Sequence, residues 1–379
     1  MTSRELEGEP DDLALRVQGE PARSIGVMGA LGRASLKLAS VFYGAGAWAH
    51  RSFMRRTAAG RGQLACAVVS VGGLTVGGAG KTPVAARLAM LLHARGWRVV
   101  LASRGYKGRS RKWVTVVSDG SHIHSSVEHA GDESFVLVAH APGVPVLVGR
   151  DRRVVGHHAV SAFDAEILVL DDGFQHHRLA RDLDIVCVDG IAGFGNQRLL
   201  PAGPLRESRR VLRYADWLCV VDGAAGQSPK SDESFPGDEV ARTFSGGEGE
   251  IICATRRPIG LVSLDRSRTR SVESLRDRRV GLLCGVARPT SVQRTLESLG
   301  AHVAAERRFP DHHEFTPSDC ADLDHSSLLW VTTEKDALKI LPKWLDDETL
   351  WVLQIEVGFE EEQEMIDRLE ERLRQAGRL

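Results

Sequence analysis

Three glycines, Gly77, Gly78 and Gly80, stand just before Lys81 and Thr82, between the apolar run CAVVSVGG (66–73) and the helical run KTPVAARLAMLL. That spacing is built for phosphate. Glycines let successive backbone N–H groups converge, a helix start adds positive potential, the lysine reaches β- and γ-phosphates, and the threonine can ligate Mg²⁺. The loop spans Thr75, Val76, Gly77, Gly78, Ala79, Gly80, Lys81 and Thr82, with Thr75 where the strict motif has glycine. Such a loop also needs an acidic element for the metal. EILVLDD (166–172) supplies Asp171 and Asp172 at the end of an apolar strand, where open α/β sheets hold their ligands.

Further polar islands follow apolar runs: SRGYKG (103–108), GDES (131–134), GRDRR (149–153), GFQHHRLARD (173–182), GPLRE (203–207), FPDHHEF (309–315) and TTEKDALK (332–339). Loops after strands are where α/β enzymes keep their chemistry. The 14 histidines include three adjacent pairs but no H-E-x-x-H and no Cys/His cluster of ligand spacing, so no transition-metal site is expected. The six cysteines are scattered without a C-x-x-C pair, which predicts reduced core thiols and a cytosolic setting.

The elements that must hold these groups are written in the hydropathy. WRVVLAS (97–103), VPVLVG (144–149), DIVCVD (184–189) and WLCVVD (217–222) join the two runs above as buried strands separated by helical stretches. This predicts a P-loop NTPase-type α/β fold, a mostly parallel sheet with helices on both faces. A Gly/Ser/Pro-rich stretch over 223–250 reads as a linker. Beyond it RRVGLLCGV, HVAAERRF, LLWVTT and LWVLQIEV repeat the alternation in a smaller C-terminal α/β unit, closed by a charged helix near 360–375. With 42% hydrophobic and 26% charged residues and a net charge of −1, a disordered chain, a collagen-like fibre and a globally basic nucleic-acid binder are excluded.

The N-terminus is different in kind. Residues 1–20 carry six acids and read as a disordered extension, whereas 21–62 carry seven Lys/Arg and no acid. On a helical wheel Leu38, Phe42, Ala45, Ala49 and Phe53 share one face, and Lys37, Arg51 and Arg55 another. The uncharged run Leu38–His50 is too short to span a bilayer, so this amphipathic helix is expected either at a membrane surface or packed on its own domain. The expected organisation is 1–20 extension, 21–62 helix, 63–265 P-loop core and 266–379 C-terminal α/β domain.

Taken in order, VGGLTVGGAGKTP, SRGYKG, GDE, DDGFQHHRLARDLDI, LLPAGPLRE, DHHEF and TEKDALK resemble the tetraacyldisaccharide 4'-kinase (lipid A 4'-kinase) family over about residues 25–345. Gly73 stands where asparagine is expected and Phe174 where leucine is. The resemblance implies ATP and Mg²⁺, and transfer of the γ-phosphoryl group to the 4'-hydroxyl of tetraacyldisaccharide 1-phosphate, giving lipid IVA. It implies a peripheral enzyme on the cytoplasmic face of the inner membrane, docked by its N-terminal helix, with no nucleic-acid partner. It carries catalytic roles to Lys81, Arg206, Asp132 as base and His312 as its partner, and metal roles to Thr82, Asp171, Asp172 and Glu207. Glu133, Arg152 and Gln175 join as further site residues, and Arg51, Arg55 and Arg56 as groups for the acceptor's 1-phosphate. The competing class is a membrane-associated switch ATPase, but Val76 stands where that group has lysine. In a GTPase, the guanine reader would need its lysine one place before Lys335.

Overall fold

A computed structural model describes residues 27–56, 62–222, 240, 244, 249–323, 328–345 and 349–379. The acidic extension 1–20 and most of the linker at 223–250 lie outside the described residues. The apolar runs become β1 (Ala67–Gly73), β2 (Val99–Ser103), β3 (Thr115–Ser118), β4 (Val146–Val148), β5 (Ile167–Asp171), β6 (Leu183–Asp189) and β7 (Trp217–Val221). They continue as β8 (Glu250–Ser263), β9 (Thr269–Arg270), β10 (Arg279–Cys284), β11 (His302–Arg308), β12 (Leu329–Thr333) and β13 (Leu350–Phe359). Among the described residues these form one sheet, ordered β11-β10-β12-β13-β8-β7-β6-β1-β5-β2-β4-β3, with β9 beside β8.

From β8 through β4 every neighbouring pair is parallel, as are the pairs among β13, β12, β10 and β11. Among the described residues three pairings are antiparallel: β3 with β4 at the edge, β9 with β8, and β13 with β8, which joins the two parallel blocks. Strand β8 makes this possible by its length. Its residues Glu250–Ala254 pair with β7, and from Ala254 to Ser263 it pairs with β13, running on past the end of β7. The second parallel block is therefore turned over, and its C-terminal strand ends point back toward those of the first block.

Among the described residues six longer helices accompany the sheet: α1 (Val27–Arg56), α2 (Lys81–Ala94), α3 (Asp132–His140), α4 (Arg152–Phe163), α5 (Pro289–Ser298) and α6 (Glu362–Gln375). The pleat of β1 sorts them onto two faces. Val69 and Val71 pack with Leu88 and Leu92 of α2 and with Met365 and Leu369 of α6, while Val68 packs with Val155 and Ala159 of α4. The closing helix, expected with the C-terminal unit, thus packs on the first block. Arg87 to Glu362 and Trp97 to Glu370 hold it there, because its apolar stripe matches α2.

Helix α1 departs from its wheel. Leu38, Val41, Phe42, Trp48 and Phe53 are exposed, with Trp48 at 71%. Tyr43 packs on Val76 and Leu200, Ser40 Oγ donates to the Leu199 carbonyl at 3.1 Å, and Arg51 is buried. The basic residue turns inward and the apolar stripe outward. Among the described residues no helix is long and apolar enough to cross a membrane.

Candidate active site

The loop between β1 and α2 is held in the left-handed region at Gly77, Gly78 and Gly80, with φ of 64°, 67° and 73°. A side chain at the first two is also excluded by space: a Cβ at Gly77 would lie 2.8 Å from Ala287 Cβ, and one at Gly78 2.8 Å from Arg288 Cδ. The second block therefore presses its post-β10 loop onto the phosphate loop. The PAGPLRE segment closes the other flank. Val76 N–H donates to the Pro204 carbonyl at 2.9 Å and Arg206 N–H to the Leu74 carbonyl at 2.7 Å, which delivers the Arg206 side chain to the loop.

Lys81 Nζ lies 2.8 Å from Asp172 Oδ1, and Arg206 Nη1 donates to Asp172 Oδ2 at 2.6 Å. Burial alone would raise this carboxyl, but the two cations outweigh it and hold Asp172 far below the usual carboxylate range. Asp171 has the opposite balance. Burial first, then the charges of Glu133 and Asp172, push it up to about 7, although Thr82 Oγ1 donates to it at 3.1 Å. Hydroxyl and carboxylate oxygens around crowded negative charge form a hard donor set suited to Mg²⁺. Among the described residues no three His, Cys, Asp or Glu side chains make a full metal cage. One or two carboxylates are what Mg²⁺ uses when phosphates complete its shell. Arg152 is buried beside both aspartates. Desolvation lowers it to about 10, and its Nε has no hydrogen-bond partner among the described residues, which fits it to phosphate.

At the second edge His312 Nδ1 lies 3.0 Å from Asp132 Oδ2, joining groups from two blocks. Asp132 starts α3 after Gly131, whose φ of 86° lets it approach the Tyr106 carbonyl. Burial would raise Asp132, but the hydrogen bond from His312 and the charges of Lys335 and Lys339 bring it down to about 2. A cavity of about 1070 Å³ is lined by the phosphate loop, Asp172, Arg206, Arg152, Gln175, Glu133, Tyr106 and His312, together with Tyr43, Ala47 and His50 of α1. Asp132 is buried and does not line it, whereas its chain neighbour Glu133 and its partner His312 do.

Two expected roles change. Glu207, expected at the metal, gives one oxygen to Arg51 Nε at 2.5 Å and the other to Arg51 Nη2 at 3.1 Å. Arg51, expected to hold the acceptor's phosphate, is correspondingly consumed, with Phe174 4.9 Å and Tyr214 5.5 Å from its guanidinium. The side chains of Arg55 and Arg56 lie outside the described residues. Gln175 donates to the Gly73 carbonyl at 3.0 Å and so braces the loop. Sequence reasoning missed Arg256 and Arg288, which reach Asp189 at 3.2 and 2.9 Å, and Lys335, which lies 3.0 Å from His312. Lys335 was in view only as part of the polar island and family motif TEKDALK, with no role assigned to it.

A mostly parallel sheet carrying a glycine loop, Lys-Thr and a strand-end aspartate pair defines a P-loop nucleotide-binding protein. The sequence profile of one kinase family, tetraacyldisaccharide-1-P 4'-kinase, matches residues 33–374, and the chain belongs to that family. It is 38% identical to the tetraacyldisaccharide 4'-kinase of Syntrophus aciditrophicus (strain SB) over 81% of this chain and 84% of the relative. It is 42% identical to that of Anaeromyxobacter sp. (strain K) over 83% of each chain. Its structure is similar to the crystal structure of LpxK from Aquifex aeolicus in complex with ATP, with a TM-score of 0.69, 28% identity and coverage of 90% of this chain and 99% of that one.

The Asp132 pairing has a stability signature. Its folded value near 2 lies below the unfolded value of roughly 3.9, so the charged form favours folding. That contribution is full above about pH 5 and is lost as pH falls toward 2. In urea titrations, wild type should exceed Asp132→Asn by about 2 kcal/mol at pH 6, with the gap narrowing steadily toward pH 3.

Proposed function

We propose that the chain transfers the γ-phosphoryl group of ATP to the 4'-hydroxyl of tetraacyldisaccharide 1-phosphate, forming lipid IVA in lipid A biosynthesis. The observation that carries this reading is that one cavity holds both the Lys81-Asp172-Arg206 cluster and the His312 side chain that backs Asp132. The glycine loop binds the phosphates through backbone N–H groups. Thr82, Asp171 and Asp172 would hold Mg²⁺, which when bound neutralises charge on the β- and γ-phosphates. Lys81 and Arg206 face the charge that spreads over the transferring group, and Asp132 accepts the hydroxyl proton as attack proceeds. In a loose transition state the proton leaves late, so a weakly basic carboxylate suffices. The Arg51–Glu207 pair anchors the segment that carries the neighbouring Arg206.

The reading divides the chain into a docking helix (21–62), a nucleotide-binding block (63–265) and a second α/β unit (266–379), with α6 reassigned to the first block. The exposed stripe Leu38, Val41, Phe42, Trp48 and Phe53 supports docking on the cytoplasmic face of the inner membrane, where a lipid acceptor resides. The inner side of the same helix lines the cavity, so docking would bring the lipid headgroup to the phosphate loop.

Purified protein should place label from γ-labelled Mg-ATP into tetraacyldisaccharide 1-phosphate in micelles. Lys81→Ala should cost about 10³-fold or more in kcat, and Asp132→Ala about 10²-fold. Phosphate release without lipid labelling, indifferent to Asp132→Ala, would instead indicate a switch ATPase. Replacing Phe42 and Trp48 together by Glu should lower cosedimentation with anionic vesicles at least about tenfold, since both exposed apolar side chains would enter the bilayer interface on docking. Unaltered cosedimentation would rule out α1 as the docking element.

A further inference from the structure

Lys335 is the second residue of the short helix Glu334–Ala337 that follows β12, and its position gives it a defined task. Its Nζ lies 3.0 Å from His312 Nε2 and 3.1 Å from Asp311 Oδ1. On the other side of the ring His312 Nδ1 lies 3.0 Å from Asp132 Oδ2. An ammonium has three donors and no acceptor. At 3.0 Å it can only give a hydrogen bond, so Nε2 must present its lone pair, and the single imidazole proton sits on Nδ1, pointing at Asp132.

The surroundings keep this arrangement in place. Burial alone would favour neutral Lys335, but Asp311, Asp132 and Glu133 outweigh it and hold the ammonium. The charged groups facing the ring are Asp132 from α3, Asp311 with Oδ2 3.8 Å from Nε2, Lys335, and Lys339, whose Nζ lies 3.7 Å from Asp132 Oδ2. Tyr106 covers the ring at 5.2 Å between centroids. The His312 backbone is fixed as well, in the left-handed region at φ 60°, with its N–H donating to the Gly285 carbonyl at 3.2 Å. Gly285 N–H in turn donates to Asp336, in the same short helix as Lys335.

We propose that Lys335 is a positioning residue that fixes His312 as the neutral tautomer protonated at Nδ1, so that the acceptor's proton goes to Asp132 and not to the imidazole. This rests on the reading of Asp132 as proton acceptor. As the 4'-oxygen bonds to the γ-phosphorus, the bond from that phosphorus to the departing ADP oxygen breaks. The hydroxyl proton passes to the Asp132 carboxylate. His312 donates from Nδ1 throughout, and its one lone pair, on Nε2, is engaged by Lys335. Without Lys335, Nε2 lies open beside Asp311 and takes a second proton as pH falls. The resulting imidazolium weakens Asp132 as an acceptor.

Two measurements test this. Long-range ¹H–¹⁵N NMR of ¹⁵N-histidine wild-type protein, with the His312 signal identified by its loss in His312→Gln, should show a protonated Nδ1 and an unprotonated Nε2 from pH 6 to 8. A proton on Nε2 in that range overturns the proposal, and this reading needs no variant of Lys335 to fold. In pH profiles with the lipid acceptor, the acid limb of kcat should move up by at least about one pH unit in Lys335→Met, while Lys335→Arg, whose guanidinium also only donates, keeps the wild-type limb. A Lys335→Met profile reduced by one constant factor at every pH overturns it. Asp132→Asn separates the two readings. Wild-type turnover in that variant would remove Asp132 as the acceptor while leaving the NMR result intact. Lost turnover beside an Nε2-protonated His312 would remove Lys335 alone.

Discussion

Strand β8 is the constraint on which the rest depends. By pairing parallel with β7 over its first residues and antiparallel with β13 beyond, it inverts the second block and turns two sets of strand ends toward each other. Loops that would otherwise lie at opposite edges of a sheet then share one cavity. Ala287 and Arg288 come to rest over Gly77 and Gly78, Glu334 reaches His140 at 2.9 Å, and His312 reaches Asp132. Hydrogen-bonded strand pairing is rigid on the scale of these contacts, so the register of β8 against β13 sets the width of the reaction centre.

Charge pairing then fixes the details inside that frame. Lys81 and Arg206 meet on Asp172, and the next residue, Glu207, meets Arg51, so the surface helix α1 is joined to the phosphate loop through two adjacent residues. The Arg51–Glu207 pair is buried on both sides, and removing one partner of such a pair costs about 3–5 kcal/mol. Exposed pairs such as Arg109–Glu128 contribute about 0–1 kcal/mol. The position of α1 is thus tied to Arg51, which turns inward while Leu38, Val41, Phe42 and Trp48 stay exposed.

What the sequence could disclose followed from range. The phosphate loop and Asp171-Asp172 were readable because each is contiguous and its chemistry local. The strands around them were readable because parallel strands buried on both faces are continuous apolar runs. Strand β8 was hidden, since Arg256-Arg257-Pro258 breaks its run at the point where it changes partners. The wheel set Arg51 on a basic face because it sorts by hydropathy, whereas its burial is decided by a glutamate 156 positions away. The Asp132–His312 pair spans 180 positions and came from family resemblance, as no spacing rule reaches that far.

The central claim is that the two blocks act as one reaction centre through that pair. A double-mutant cycle in kcat over wild type, Asp132→Asn, His312→Gln and the double variant tests it most directly. If the pair works as a unit, each single change costs about 10²-fold and the double costs no more than the worse single, because one removes the partner the other needs. Multiplying losses, near 10⁴-fold in the double variant, would mean that the two residues act independently and that the meeting of the blocks is not what makes the centre.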